Sequence, residues 1–220
     1  MPEVLRFEAQ DLASPGASPE AIAQAEARLQ QVVRETPRDV FGWRELARLA
    51  RQQGDAEKAK SIVSQALTSN PNHPDLSVMM ASLEMELGNA AVARSLAQAV
   101  RQVHPQNLES RLILLQVFLG NGEVNAAAEV VNEATAIAPK DEGVQMARSS
   151  VMLAMGRPEE AAANLQSYID EEGGQAALDA ILMLARIQIG RGEFEAAGRR
   201  LDRAAALAPA DDRVALGRLG

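Results

Sequence analysis

Apolar positions along this chain fall at helical spacing and are interrupted at regular intervals. Trp43, Leu46, Ala47 and Ala50 stand at i, i+3, i+4 and i+7, one face of a helix. That run ends at Gly54, and a second begins after it, with Ala59 and Val63 four residues apart. A turn carrying Pro71 closes the second run. Glycine suits the position just past a helix C-terminus, where φ is often positive. Proline cannot continue a helix and suits the turn beyond the second one. The pattern predicts a pair of helices joined by a tight glycine turn.

The punctuation recurs. Gly54, Gly88, Gly122 and Gly156 lie 34 residues apart, and Gly192 follows after 36. Pro37, Pro71, Pro105 and Pro139 keep the same 34-residue interval; Gly173 takes the next place and Pro209 restores the series. Ala59, Ala93, Ala127, Ala161 and Ala197 each follow a glycine by five residues, small enough to let two helices approach closely. The two extra residues fall near Glu171-Glu172-Gly173-Gly174, which reads as a lengthened turn. Such a helix pair cannot bury its apolar face alone and must stack on its neighbours.

These positions resemble the tetratricopeptide repeat pattern W-x2-L-G-x2-Y, A-x3-F, P. One copy supplies Trp43, Leu46, Ala47, Ala50, Ala59, Val63 and Pro71. A later copy supplies Arg111, Leu114, Leu115, Phe118, Ala127, Val131 and Pro139, and the last Ile181, Leu184, Ala185, Gln188, Ala197, Leu201 and Pro209. Ser77 and Gln145 hold the Trp position in the two looser copies. The resemblance implies an all-α fold, a right-handed superhelical solenoid of antiparallel helix pairs. Five repeats are expected at 40–73, 74–107, 108–141, 142–177 (with the lengthened turn) and 178–211. A leading half-repeat helix is expected over 18–36, with Ser18 as N-cap and Pro19 at the first helical position. Residues 1–17 read as irregular, and 212–220 as the start of a sixth repeat or a short cap. That stub suggests a piece of a longer protein, and Leu216 and Leu219 leave an apolar edge suited to self-association.

Composition narrows the function. Aromatic residues are only 3% of the chain, which argues against a sandwich or barrel. The formal net charge of −8 disfavours a general nucleic-acid binder but leaves room for a local basic patch. With no cysteine there is no disulfide framework or thiolate metal site. No apolar run approaches the roughly 18–20 residues that span a membrane. The start, MPEVLRFEAQDL, lacks a basic region followed by an apolar run. The default location is therefore cytoplasmic, or periplasmic if the chain is a fragment.

Little here could carry chemistry. His73 and His104 stand 31 residues apart beside inter-repeat turns, close to the repeat period, so they need not meet. The pairs Glu159-Glu160, Glu171-Glu172 and Asp211-Asp212 suit helix N-termini and solvated turns. No enzymatic activity, cofactor or metal is expected.

Binding is the expected role, with a protein or peptide as partner. In the resembling family the first helix of each repeat lines the concave face. The position after the Trp position and the one seven later share a helix face. Those pairs are Arg44 and Arg51, Val78 and Met85, Leu112 and Leu119, Met146 and Leu153, Leu182 and Ile189. The turn between adds Arg48, Ser82, Gln116, Ser150 and Arg186. The expected groove opens on three arginines, runs apolar through four repeats and meets Arg186 near its far end. Such a groove suits a helical or extended peptide with acidic residues at one end. The same positions also suit packing, and the arginines a solvated face. The family's two-carboxylate clamp is not carried over: its positions hold Arg44, Arg48, Met79, Glu109 and Ile113, and only Arg44 keeps the required chemistry. Glu84 and Arg111 are expected to form a structural ion pair. The competing reading is an accessory region of a larger enzyme or of a bacterial envelope export or assembly machine.

Overall fold

The computed structural model describes residues 17–172, 177–209 and 211. Among them the regular structure is helical: α1 Pro19–Glu35, α2 Val40–Gln52, α3 Ala56–Ser69, α4 Pro74–Glu86, α5 Ala90–Val103, α6 Leu108–Gly120, α7 Val124–Ile137, α8 Glu142–Ala154, α9 Pro158–Glu172, α10 Leu178–Gly190 and α11 Phe194–Leu207. The proposed N-terminal irregular segment (except Ala17), most of the lengthened turn, and the self-association edge at Leu216 and Leu219 lie outside the described residues.

Each first helix ends the same way. Gly54, Gly88, Gly122, Gly156 and Gly192 all have positive φ, between 72° and 81°. The residue after each glycine donates its N–H back to the carbonyl five residues earlier: Asp55 to Ala50 at 3.0 Å, Asn89 to Glu84 at 2.7 Å, Glu123 to Phe118 at 2.8 Å, Arg157 to Met152 at 2.9 Å, Glu193 to Gln188 at 2.8 Å. This is the Schellman closure, which satisfies carbonyls the helix end leaves orphaned. A Cβ at Gly88 would meet nothing within 4 Å, so glycine is required there by backbone conformation alone. An L-residue would cost about 1–2 kcal/mol. Asp55 then caps the next helix, accepting from Lys58 N at 2.8 Å. Ser18 does the same for α1, accepting from Ala21 N at 3.2 Å, with Pro19 in the first turn.

The Trp position has a second task besides filling space. The Trp43 indole donates to the Pro37 carbonyl at 2.8 Å, tying the helix to the preceding turn. Gln145, two residues N-terminal to Ala147 in α8, makes the equivalent bond to the Pro139 carbonyl. A carboxamide thus replaces the indole N–H without its bulk.

Two compact units divide the chain, Met1–Ile113 and Leu114–Gly220, the division falling inside α6. In the first, Leu29, Trp43, Leu46, Leu49, Val63, Leu76 and Leu83 form one core, with Met79 and Met80 half-buried against it. α2 packs on α1, and Gly42 makes this possible: a Cβ there would come within 3.0 Å of Val32 and 3.2 Å of Val33. In the second, Leu165, Tyr168, Ile169, Ile181 and Leu184 form a core. There α8 touches both α9 and α10. Asn164 of α9 donates to the Gln145 carbonyl at 3.3 Å and to Ser149 Oγ at 3.0 Å, stitching α9 to α8. The five recurrent alanines, Ala59, Ala93, Ala127, Ala161 and Ala197, are all buried.

Candidate partner-binding surfaces

In the first unit the three arginines do share a surface of α2, but each is answered by a carboxylate of the same unit. Arg44 bonds Asp75 at 3.1 Å, Arg48 bonds Glu45 at 2.8 Å, and Arg51 bonds Glu86. Asp75 and Glu86 lie at the two ends of α4, so Arg44 and Arg51 clasp one first helix to the next. The three arginine side chains remain 45%, 37% and 54% exposed. Such exposed pairs contribute at most about 1 kcal/mol each.

Val78 departs from the expected surface. It is 4% exposed and belongs to the core, as do Leu76, Ala81 and Leu83 of the same helix. Four buried positions spread around a 13-residue helix mean that α4 is covered on more than one side. Met85 and Leu112 are half-buried. Glu84, expected against Arg111, is buried and is held by Lys60 of α3 at 2.9 Å and by Asn89 at 2.7 Å. The Lys60 bond holds the Glu84 carboxyl below its ordinary range, against the opposing effect of burial. The buried Arg111 donates to the Asn107 carbonyl at 3.0 Å. A cavity of about 370 Å³ opens beside Trp43, Leu46, Val33 and Ile62, with Glu26 and Lys58 paired at 2.7 Å on its lining.

The second unit is different. Leu119, Met146, Leu153, Leu182 and Ile189 are all half-buried, while Gln116 and Arg186 are exposed. α8 and α10 touch, and Met146, Leu153 and Leu182 rest partly against the same core. Near the starts of these helices, burial and the charges of Asp179 and Asp141 push the Glu142 carboxyl up. Sequence reasoning missed the arginines of α11, Arg199, Arg200 and Arg203. The signal was present as RRLDR, three cations within five residues.

His73 and His104 sit at the turns flanking α4 and α5, in keeping with their spacing. Among the described residues no group of three or more His, Asp or Glu could hold a metal ion, and no helix is long and apolar enough to cross a membrane.

Comparison with known proteins places this architecture. Family models described as "Tetratricopeptide repeat" match residues 78–142 and, in a second version, 19–83, 50–100 and 152–219. Cellulose synthase operon protein C of Pseudomonas fluorescens is 26% identical over 109 residues, which are 50% of this chain and 8% of that protein. The chain thus spans a small fraction of that relative's length. A thermophilic TPR protein of Thermus thermophilus superposes with a TM-score of 0.72 at 20% identity, covering 82% of this chain and 99% of its own. PilW, described as a widely conserved type IV pilus biogenesis factor, superposes with a TM-score of 0.75 at 15% identity, covering 98% and 97%. At these identities the solved structures show the fold: all-α, built of stacked antiparallel helix pairs.

Proposed function

Because the chain belongs to the tetratricopeptide repeat family, we propose that it is a non-catalytic scaffold holding a peptide or helix of a partner protein against its first helices. Repeats of this kind imply a protein-interaction role. The observation that carries the finer reading is the recurrence of half-buried apolar residues in the second unit: Leu119, Met146, Leu153, Leu182 and Ile189. A side chain that is half-covered by its own core gains further burial from a partner, at about 25 cal/mol per Å² of apolar surface removed from water. Methionine adapts its shape to varied partners. Arg186 and Gln116 supply polar contacts at the edge of this face. Arg44, Arg48 and Arg51 enter as exchangeable contacts: a partner carboxylate replaces Asp75, Glu45 or Glu86 at small cost, since exposed pairs are weak.

The test is Leu153→Glu combined with Ile189→Glu, measured against the partner that co-purifies from the native host. The affinity is expected to fall at least about tenfold, since a charge must be buried against apolar surface. Circular dichroism should stay helical. Unchanged affinity in a folded double variant would overturn the reading.

A second reading has its own support. One relative is named for a cellulose synthase operon and one structural neighbour for pilus biogenesis. This favours an accessory role in an envelope export or assembly machine whose activity lies in other polypeptide. A native polypeptide well above 23.5 kDa, or co-purification with a membrane-bound complex, is the result that reading expects.

A further inference from the structure

The last described helix carries positive charge that no carboxylate among the described residues pairs directly. In α11, Ala196, Arg199, Arg200 and Arg203 fall on one flank, while Ala197, Leu201 and Ala204 face the core. The four flank residues line a cavity of about 260 Å³. Arg199 and Arg203 are exposed, and among the described residues neither makes an ion pair. Arg200 is half-buried and held still: its Nε donates to Gln188 Oε1 at 2.8 Å and its Nη2 to Gln166 Oε1. Both acceptors are neutral carboxamides. Gln166 donates in turn to Asp170 at 2.7 Å, so that carboxylate reaches the guanidinium only through an intermediary. Burial pulls the Arg200 pKa down, and Arg203 and Arg199 add to this against the opposing charges of Asp170 and Glu193. An arginine stays charged regardless.

Three guanidiniums line one cavity with no direct carboxylate partner among the described residues, in a chain of net charge −8. We infer that this flank of α11 binds a short acidic segment of a partner protein, with Arg199 and Arg203 gripping its carboxylates around the fixed Arg200. Guanidinium matches carboxylate in planar, bidentate geometry. A short segment meets only the local cluster. A nucleic acid would extend its phosphates over a predominantly acidic surface and be repelled. The site lies on a second helix, so it stands or falls apart from the first-helix face above.

The experiment is fluorescence anisotropy of the whole chain with a labelled oligoglutamate peptide at low salt. Binding is expected despite the net negative charge, weakening as salt rises. Arg199→Glu with Arg203→Glu should lower affinity at least about tenfold, as like charges replace opposite ones. Arg199→Gln with Arg203→Gln serves if the reversal perturbs the helix, and should also lose binding. Lys140→Glu with Arg157→Glu, an equal charge reversal at exposed positions of the same unit, should bind as the parent does. Absence of binding by the parent chain, undiminished binding by both arginine double variants, or tighter binding of an oligothymidylate of equal charge would each overturn the assignment.

Discussion

The first and second units share one way of packing and differ in what they show to the outside. Ala59 and Ala93 in the first are buried just as Ala161 and Ala197 are in the second. Both end their first helices on a left-handed glycine. On the positions packing leaves free they diverge. The first unit presents Arg44, Arg48 and Arg51, each matched by a carboxylate of its own. The second presents Leu119, Met146, Leu153, Leu182 and Ile189, half-covered by their own unit. A repeat fold fixes its interior by close approach and leaves other positions to vary. Unmatched surface, whether apolar or charged, is therefore where function is to be sought. By that measure the second unit, with its apolar first-helix face and its α11 arginines, is the richer of the two.

The largest effects should show the sameness of the interiors. Leu76 and Leu165 are both fully buried, one in each unit. Leu76→Ala and Leu165→Ala should each cost about 2–5 kcal/mol in urea unfolding, through lost burial and a residual cavity. A cost under about 1 kcal/mol at either site would mean that its core is less tightly packed than its burial indicates.

A smaller effect, opposite in sign between the units, should come from pH. Glu84 in the first unit has its pKa lowered, chiefly by Lys60, from an ordinary 4.5. Its contribution is present above that value and is lost as pH falls through the lower folded pKa. Glu142 in the second unit has its pKa raised, chiefly by burial, from the same 4.5. The folded state then favours the protonated form: the contribution is present below 4.5 and lost as pH rises through the folded pKa. Near neutral pH, Glu84→Gln should lower the melting temperature and Glu142→Gln raise it. Both differences should shrink as the solution is acidified below the ordinary carboxylate range. Shifts of the same sign at neutral pH would contradict the assigned causes.

The helices and their turns were legible because glycine and proline mark them with little ambiguity. Only a left-handed residue makes the Schellman closure easy, and only proline so firmly refuses to extend a helix. The candidate surface is legible in register but not in exposure. Arg44, Arg48 and Arg51 share a helix face, as their spacing required. The partners Asp75 and Glu86 come from α4, about one repeat away, and no local pattern names them. Val78 holds the register position of Leu112, yet Val78 is buried and Leu112 half-buried, a difference in neighbours that spacing along one helix does not display. Lys60 of the neighbouring α3 reaches Glu84, a partner that the local pattern likewise does not name. Gln145 holds the Trp position in a looser copy, and what it shares with Trp43 is an N–H aimed at a proline carbonyl, which spacing alone does not display.

The central claim is that the apolar first-helix face of the second unit receives the partner. Photo-crosslinking residues placed singly at Leu153, Ile189 and the exposed second-helix position Ser167 test it most directly, with the partner isolated from the native host. The account predicts crosslinks from Leu153 and Ile189 to one contiguous partner segment and none from Ser167. Crosslinks from Ser167 in equal yield, or none from Leu153 and Ile189 while the complex persists, would contradict it.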